Sequence, residues 1–149
     1  MQRLERILIV ILIISLYLKS KHIDGASLLF VIDCILLSII YFFFTHLLIN
    51  KIELQHLFRG KTSQLSKIQV ILSVILGFGL SFTVTGLMYV KQYWYGGYET
   101  SFVGMMVLML IGIIALYKKS SQSELTFFYN EVLLRAVIGV LLSIIIFFI

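Results

Sequence analysis

The sequence predicts an all-α, polytopic integral membrane helix bundle with five transmembrane helices in one domain, and three observations lead there. Of the 149 residues 60% are hydrophobic and 13% are charged, well short of the charged surface that keeps a soluble domain in water. The apolar residues gather into five runs of roughly 15 to 25, the length that crosses about 30 Å of hydrocarbon at 1.5 Å per helical residue. Proline is absent, so no ring interrupts those runs.

In chain order the spans are expected at about residues 4–18, 27–50, 67–90, 100–117 and 130–149. The first begins like a signal peptide, with Arg3 and Arg6 ahead of an apolar stretch. It lacks a small-x-small cleavage site, so it is expected to be retained. Its uninterrupted apolar core, residues 7–18, is short. It crosses only by borrowing Leu4 and snorkelling Arg3, Arg6 and Lys19, and the alternative is four spans with an interfacial first helix.

Lipid gives helices no hydrophobic reason to pair, so small residues at steps of four mark the packed faces. The third span carries Ser73, Gly77, Ser81 and Thr85 in that pattern, with Gly79, Thr83 and Gly86 nearby, which predicts the central helix. The fourth span offers Thr100, Gly104 and Gly112. The fifth places Gly139 and Ser143 on the stripe that begins with Glu131 and Arg135. No internal repeat is evident.

Orientation follows from lysine and arginine, which resist translocation. With a cytoplasmic N-terminus, nine of the 12 fall on the cytoplasmic side: Arg3, Arg6, Lys51, Arg59, Lys61, Lys67, Lys118, Lys119 and Arg135. Only Lys19, Lys21 and Lys91 fall outside, so the C-terminus is expected outside. The bias toward Ile, Leu and Phe with little Ala suits a low-GC bacterial genome, and hence a bacterial inner membrane.

The loops are short. The outer one holds the single Trp94 with Tyr93, Tyr95 and Tyr98, an aromatic belt or a docking surface. The inner stretch 51–61 sets Ile52, Leu54, Leu57 and Phe58 on one face of an amphipathic turn ending at Gly60.

Ionisable groups inside spans cost on the order of 2.5 to 3.5 kcal/mol each at mid-membrane, so each needs a reason. Asp33 lies about 9 Å below the outer end of the second span. It heads a polar stripe through Cys34, Ser38, Tyr41 and Thr45. It reads either as a proton- or cation-binding acid or as a carboxyl hydrogen-bonded to Thr83, Thr85 or Tyr89. Glu131 and Arg135, one turn apart, pair on one helix face. With His46 and Asn50 of the second span they form a cluster suited to a lipid phosphate or to helix pairing. Asp33 and Arg135 are expected not to pair, being roughly 13 Å apart along the normal of a ~30 Å core.

No stretch carries HExxH, GxSxG or a glycine-rich phosphate loop, and the single Cys34 excludes a disulfide framework and a cysteine metal site. No metal or other cofactor is expected. The net charge of +5 sits at span ends rather than in an aromatic-interleaved patch, which excludes nucleic acid as partner. The expected partners are the lipid bilayer with its anionic headgroups, and another membrane protein or a second copy of the chain. The expected function is that of a non-enzymatic inner-membrane protein, an accessory subunit of an envelope complex or an immunity-type protein. The alternative is a small oligomeric transporter or channel built on Asp33.

Overall fold

A computed structural model describes residues 2–49, 66–121 and 125–148, and all regular secondary structure among them is helical. The helices are α1 (Gln2–Ser20), α2 (Ala26–Ile49), α3 (Lys67–Lys91), α4 (Gly97–Ser121) and α5 (Thr126–Phe147). A helix satisfies its own backbone, which is what a segment with no water around it requires. Four of them, α2 to α5, are long and apolar enough to cross a membrane. The 19-residue α1 is set apart by Arg3, Glu5, Arg6 and Lys19, which keep its composition more charged than that of the others. Helix ends lie within four residues of the expected spans; α4 and α5 each begin three or four residues early.

Consecutive helices pack antiparallel, and α5 folds back so that it also touches α3. Helix α3 therefore contacts α2, α4 and α5 and is the most buried of the four long helices. Its start is fixed by a capping box, in which the Gln69 side chain accepts the Ser66 backbone N–H at 2.8 Å.

The α1–α2 and α3–α4 turns are copies of one another, 71 residues apart (93 − 22 and 96 − 25). Each closes its helix with a Schellman motif. Ile23 and Trp94 donate back to Leu18 and Tyr89 at 3.2 and 2.9 Å, and His22 and Tyr93 donate to Lys19 and Val90 at 3.0 and 3.1 Å. His22 and Tyr93 sit in the left-handed region at φ 55° and 57°, and the next helix is entered through Gly25 and Gly96 at φ 81° and 85°. The buried register repeats too: Glu5, Leu8, Leu12 and Ser15 of α1 match Leu76, Gly79, Thr83 and Gly86 of α3. On the second helices Ala26, Phe30, Asp33, Leu37 and Ile40 match Gly97, Ser101, Gly104, Leu108 and Ile111. The absence of a repeat in the sequence is thus corrected at the level of register. Residue identities had hidden it, because matched positions exchange Leu8 for Gly79 and Asp33 for Gly104.

Candidate functional site: a charged lateral groove

Most polar side chains inside the bundle tie one helix to another or return to their own backbone. Ser38 of α2 meets Thr85 of α3 at 3.1 Å and donates to the Ser81 carbonyl at 3.5 Å. Thr83 of α3 donates to the Gly79 carbonyl and meets Ser143 of α5 at 3.1 Å. Ser73 is fully buried and donates to the Gln69 carbonyl at 2.7 Å. Thr45 donates to the Tyr41 carbonyl, and a side chain at Gly77 would collide with both residues. Gly139 likewise lets Leu108 and Leu80 approach the α5 backbone.

Arg135 points elsewhere. Its guanidinium forms a two-pronged ion pair with Glu5 of α1, Nη1 to Oε1 and Nη2 to Oε2, the second at 3.1 Å. Both side chains are largely buried, 15% and 7% exposed. Tyr41 of α2 lines the same groove beside this pair. Glu131 stands farther off, its Oε2 3.9 Å from the Arg135 Nε, which has no hydrogen-bond partner. The strong partner of Arg135 is therefore Glu5 from the opposite end of the chain, not its helical neighbour.

These groups line a groove of about 410 Å³ between α1 and α5, floored by Tyr41 and Leu80. Arg6 and Glu131 stand at its rim, and Ile9, Leu134 and Ile138 form its apolar walls. Leu134 and Ile138 are more than half exposed, so the groove opens sideways toward whatever surrounds the helices. His46 is half-buried in the last turn of α2 and does not line the groove. Asn50 and the amphipathic turn at 51–61 lie outside the described residues. Of the expected cluster, then, Glu131 and Arg135 meet, while Glu5, Arg6 and Tyr41 take the remaining places.

Glu5 was legible as an acid near the N-terminus at the depth of Arg135; tallying only basic residues at that end passes over it. Asp33 is 2% exposed, and neither carboxylate oxygen has a hydrogen-bond partner. Thr83 and Thr85, its expected partners, bond Ser143 and Ser38 instead. Asp33 and Arg135 do not pair. No group of three or more His, Cys, Asp or Glu able to hold a metal occurs among the described residues. At the turns, Tyr93 and Tyr95 are 95% and 96% exposed, while Trp94 rests edge-on against Tyr89 at 5.5 Å.

Comparison with known proteins adds no constraint: no family profile, curated protein or solved structure matches the chain.

Proposed function

We propose that the chain is a non-enzymatic, multi-pass bacterial inner-membrane protein that works by holding another membrane component in the groove between α1 and α5. The observation that carries this reading is the convergence of Glu5, Arg6, Tyr41, Glu131 and Arg135 on one laterally open groove. A charge inside a span is expensive unless it is paired or used, and a site open to the side admits a lipid or a helix without passage through the bundle. An accessory subunit or an immunity-type protein needs such a surface.

In this reading α1 is the fifth span. Its 19 residues reach about 28 Å, it packs along α2, its basic residues lie at its two ends, where they snorkel, and its one acid, Glu5, is paired with Arg135. The bias of basic residues puts the N-terminus in the cytoplasm and the C-terminus outside. Reporter fusions at the two termini test this, and both termini on one side would remove α1 as a span.

The contact reading is tested by placing a photo-crosslinking residue at Leu134 or Ile138 on the groove wall, and at Ile113 on the exposed face of α4 as control. Irradiated native membranes are expected to give a discrete adduct, protein or lipid, from the groove positions alone. Identical diffuse lipid labelling from all three positions defeats the proposal.

A second reading rests on Asp33, a buried carboxyl with both oxygens unpartnered. In it the chain is a small oligomeric transporter or channel, and Asp33 binds a proton or cation. Asp33→Asn keeps the shape and removes the titratable charge. Loss of ion flux in proteoliposomes with an unchanged melting curve supports transport. Unchanged flux ends it.

A further inference from the structure

We infer that the groove between α1 and α5 is built for one aminophospholipid, an ethanolamine headgroup whose phosphate meets Arg6 and whose ammonium meets Glu131. The inference rests on the groove being the contact site and names the chemical class of what it holds.

The first step is a charge balance within the groove. Glu5 and Arg135 neutralise each other through two hydrogen bonds in a mostly buried pair. Their charges are spent on each other. Among the described residues that line the groove, what remains is one cation, Arg6, and one anion, Glu131. Glu131 approaches Arg135 only to 3.9 Å, beyond hydrogen-bond length, so its carboxylate keeps its acceptor capacity. A groove that offers one charge of each sign with hydrogen-bonding capacity to spare complements a zwitterion.

A glycerol headgroup, the anionic kind that the basic span ends suggest at first sight, brings its single negative charge to Arg6 as the phosphate but only neutral hydroxyls to Glu131. A choline headgroup supplies the positive charge but has no N–H to donate. A primary ammonium offers three donors to Glu131. Of the three, ethanolamine alone brings a positively charged donor to Glu131 together with a phosphate for Arg6.

The remaining features fit the rest of such a molecule. The groove volume of about 410 Å³ lies in the range of small-ligand sites. Its walls of Ile9, Leu134 and Ile138 run along α1 and α5, where an acyl chain continues from a headgroup into hydrocarbon. Leu134 and Ile138 are exposed at 58% and 55%, leaving apolar surface for that chain to cover.

The test is lipid retention measured by native mass spectrometry on the purified full chain, titrated with phosphatidylethanolamine, phosphatidylcholine and phosphatidylglycerol of matched acyl chains. The ethanolamine lipid is expected to be retained about tenfold better than either competitor, the factor equivalent to 1.4 kcal/mol. Glu131→Gln is expected to bring it down to the choline level. Arg6→Gln is expected to weaken all three lipids, since each carries a phosphate, and Lys67→Gln, outside the groove, is expected to change none. Equal or better retention of phosphatidylglycerol by the unaltered protein overturns the inference, with no variant needed. So does a folded Glu131→Gln protein that still prefers ethanolamine. If lipid selectivity is absent while Leu134 crosslinks a protein, the lipid assignment fails and the contact reading stands. If neither appears, both fall.

Discussion

At Gly79, Gly86 and Gly104 the α3–α4 hairpin brings one helix backbone against the other, whereas 71 residues earlier the α1–α2 hairpin carries Leu8, Ser15 and Asp33 at the matching places. A Cβ on Gly104 would lie 2.8 Å from the Thr83 nitrogen, and one on Gly86 would lie 2.7 Å from the Ser101 nitrogen. That seam is closed by contact between backbones, the way helices associate where apolar surface gains nothing by hiding from lipid. The first hairpin has the same turn and the same buried register but fills its seam with side chains, one of them ionisable. Asp33 of α2 is buried there, and Glu5 of α1 reaches across to Arg135 of α5. The second hairpin is closed by backbone contact, and the first carries the ionisable groups on which the proposed function rests. Five pairs of variants break or sharpen that contrast.

The largest effect is expected at Glu5. Glu5→Ala leaves the Arg135 guanidinium largely buried without its two-pronged partner, and removing one member of a buried pair costs about 3–5 kcal/mol. The expected outcome is a sharp loss of melting temperature in detergent. Replacing both partners with apolar residues, Glu5→Leu with Arg135→Met, should recover most of it, since a matched apolar pair leaves no orphan charge. A Glu5→Ala protein that melts with the parent would mean that α1 is held by its α2 contacts alone.

Next comes Gly77→Leu set against Gly112→Leu. The side chain at 77 runs into the Tyr41 carbonyl and Thr45, whereas a Cβ at 112 meets only the Ala136 Cβ at 3.9 Å. Overpacking costs about 1–3 kcal/mol or more where nothing can yield. The first variant should melt well below the parent and the second close to it; equal melting points would mean α2 moves aside.

Gly86→Ala against Ser15→Ala then compares the two seams at one matched position. The added methyl at 86 lies 2.7 Å from the Ser101 nitrogen and 2.9 Å from its Cα, backbone atoms that cannot swing away. A cost of about 1–3 kcal/mol is expected there. Ser15 only donates to the Leu12 carbonyl of its own helix at 3.0 Å, so its truncation, which leaves no unpaired side-chain group behind, should cost about 1 kcal/mol or less. The melting curves of the pair measure how much tighter the second seam is. A Ser15→Ala loss as large as that of Gly86→Ala would erase the distinction.

How far these features are legible in sequence depends on whether they are periodic or pairwise. Length and hydropathy identify α2 to α5 because a span is a property of a run of residues. The small-residue stripe placed Gly77 at a helix contact for the same reason, since a step of four is written along one strand of sequence. The groove is not written that way. Glu5 and Arg135 are separated by 130 positions, and their meeting depends on how α5 folds back over α3. Nothing in either neighbourhood encodes that turn. The duplicate hairpin escaped for a third reason: two chains of contacts share a register while sharing almost no side chains, and the shared signal is a backbone angle at His22 and Tyr93.

Those two residues carry the smallest and most discriminating prediction. His22 and Tyr93 hold the position at which helices usually end on glycine, with φ of 55° and 57°. There an L side chain crowds its own carbonyl at a cost of roughly 1–2 kcal/mol. Glycine relieves that crowding but gains freedom in the unfolded chain, so a net stabilisation of about 0.5–1 kcal/mol is expected for His22→Gly and for Tyr93→Gly. Both variants should melt slightly above the parent, and equally so, because the two turns share their hydrogen bonds. Gly25→Ala and Gly96→Ala should each move the other way, since those residues lie at φ 81° and 85° with no crowding to relieve. An unequal response at 22 and 93 would locate a side-chain contribution in one turn. Tyr93 is 95% exposed and has little buried surface to lose, so a loss of stability on its replacement would contradict the turn geometry itself and the equivalence of the two hairpins with it.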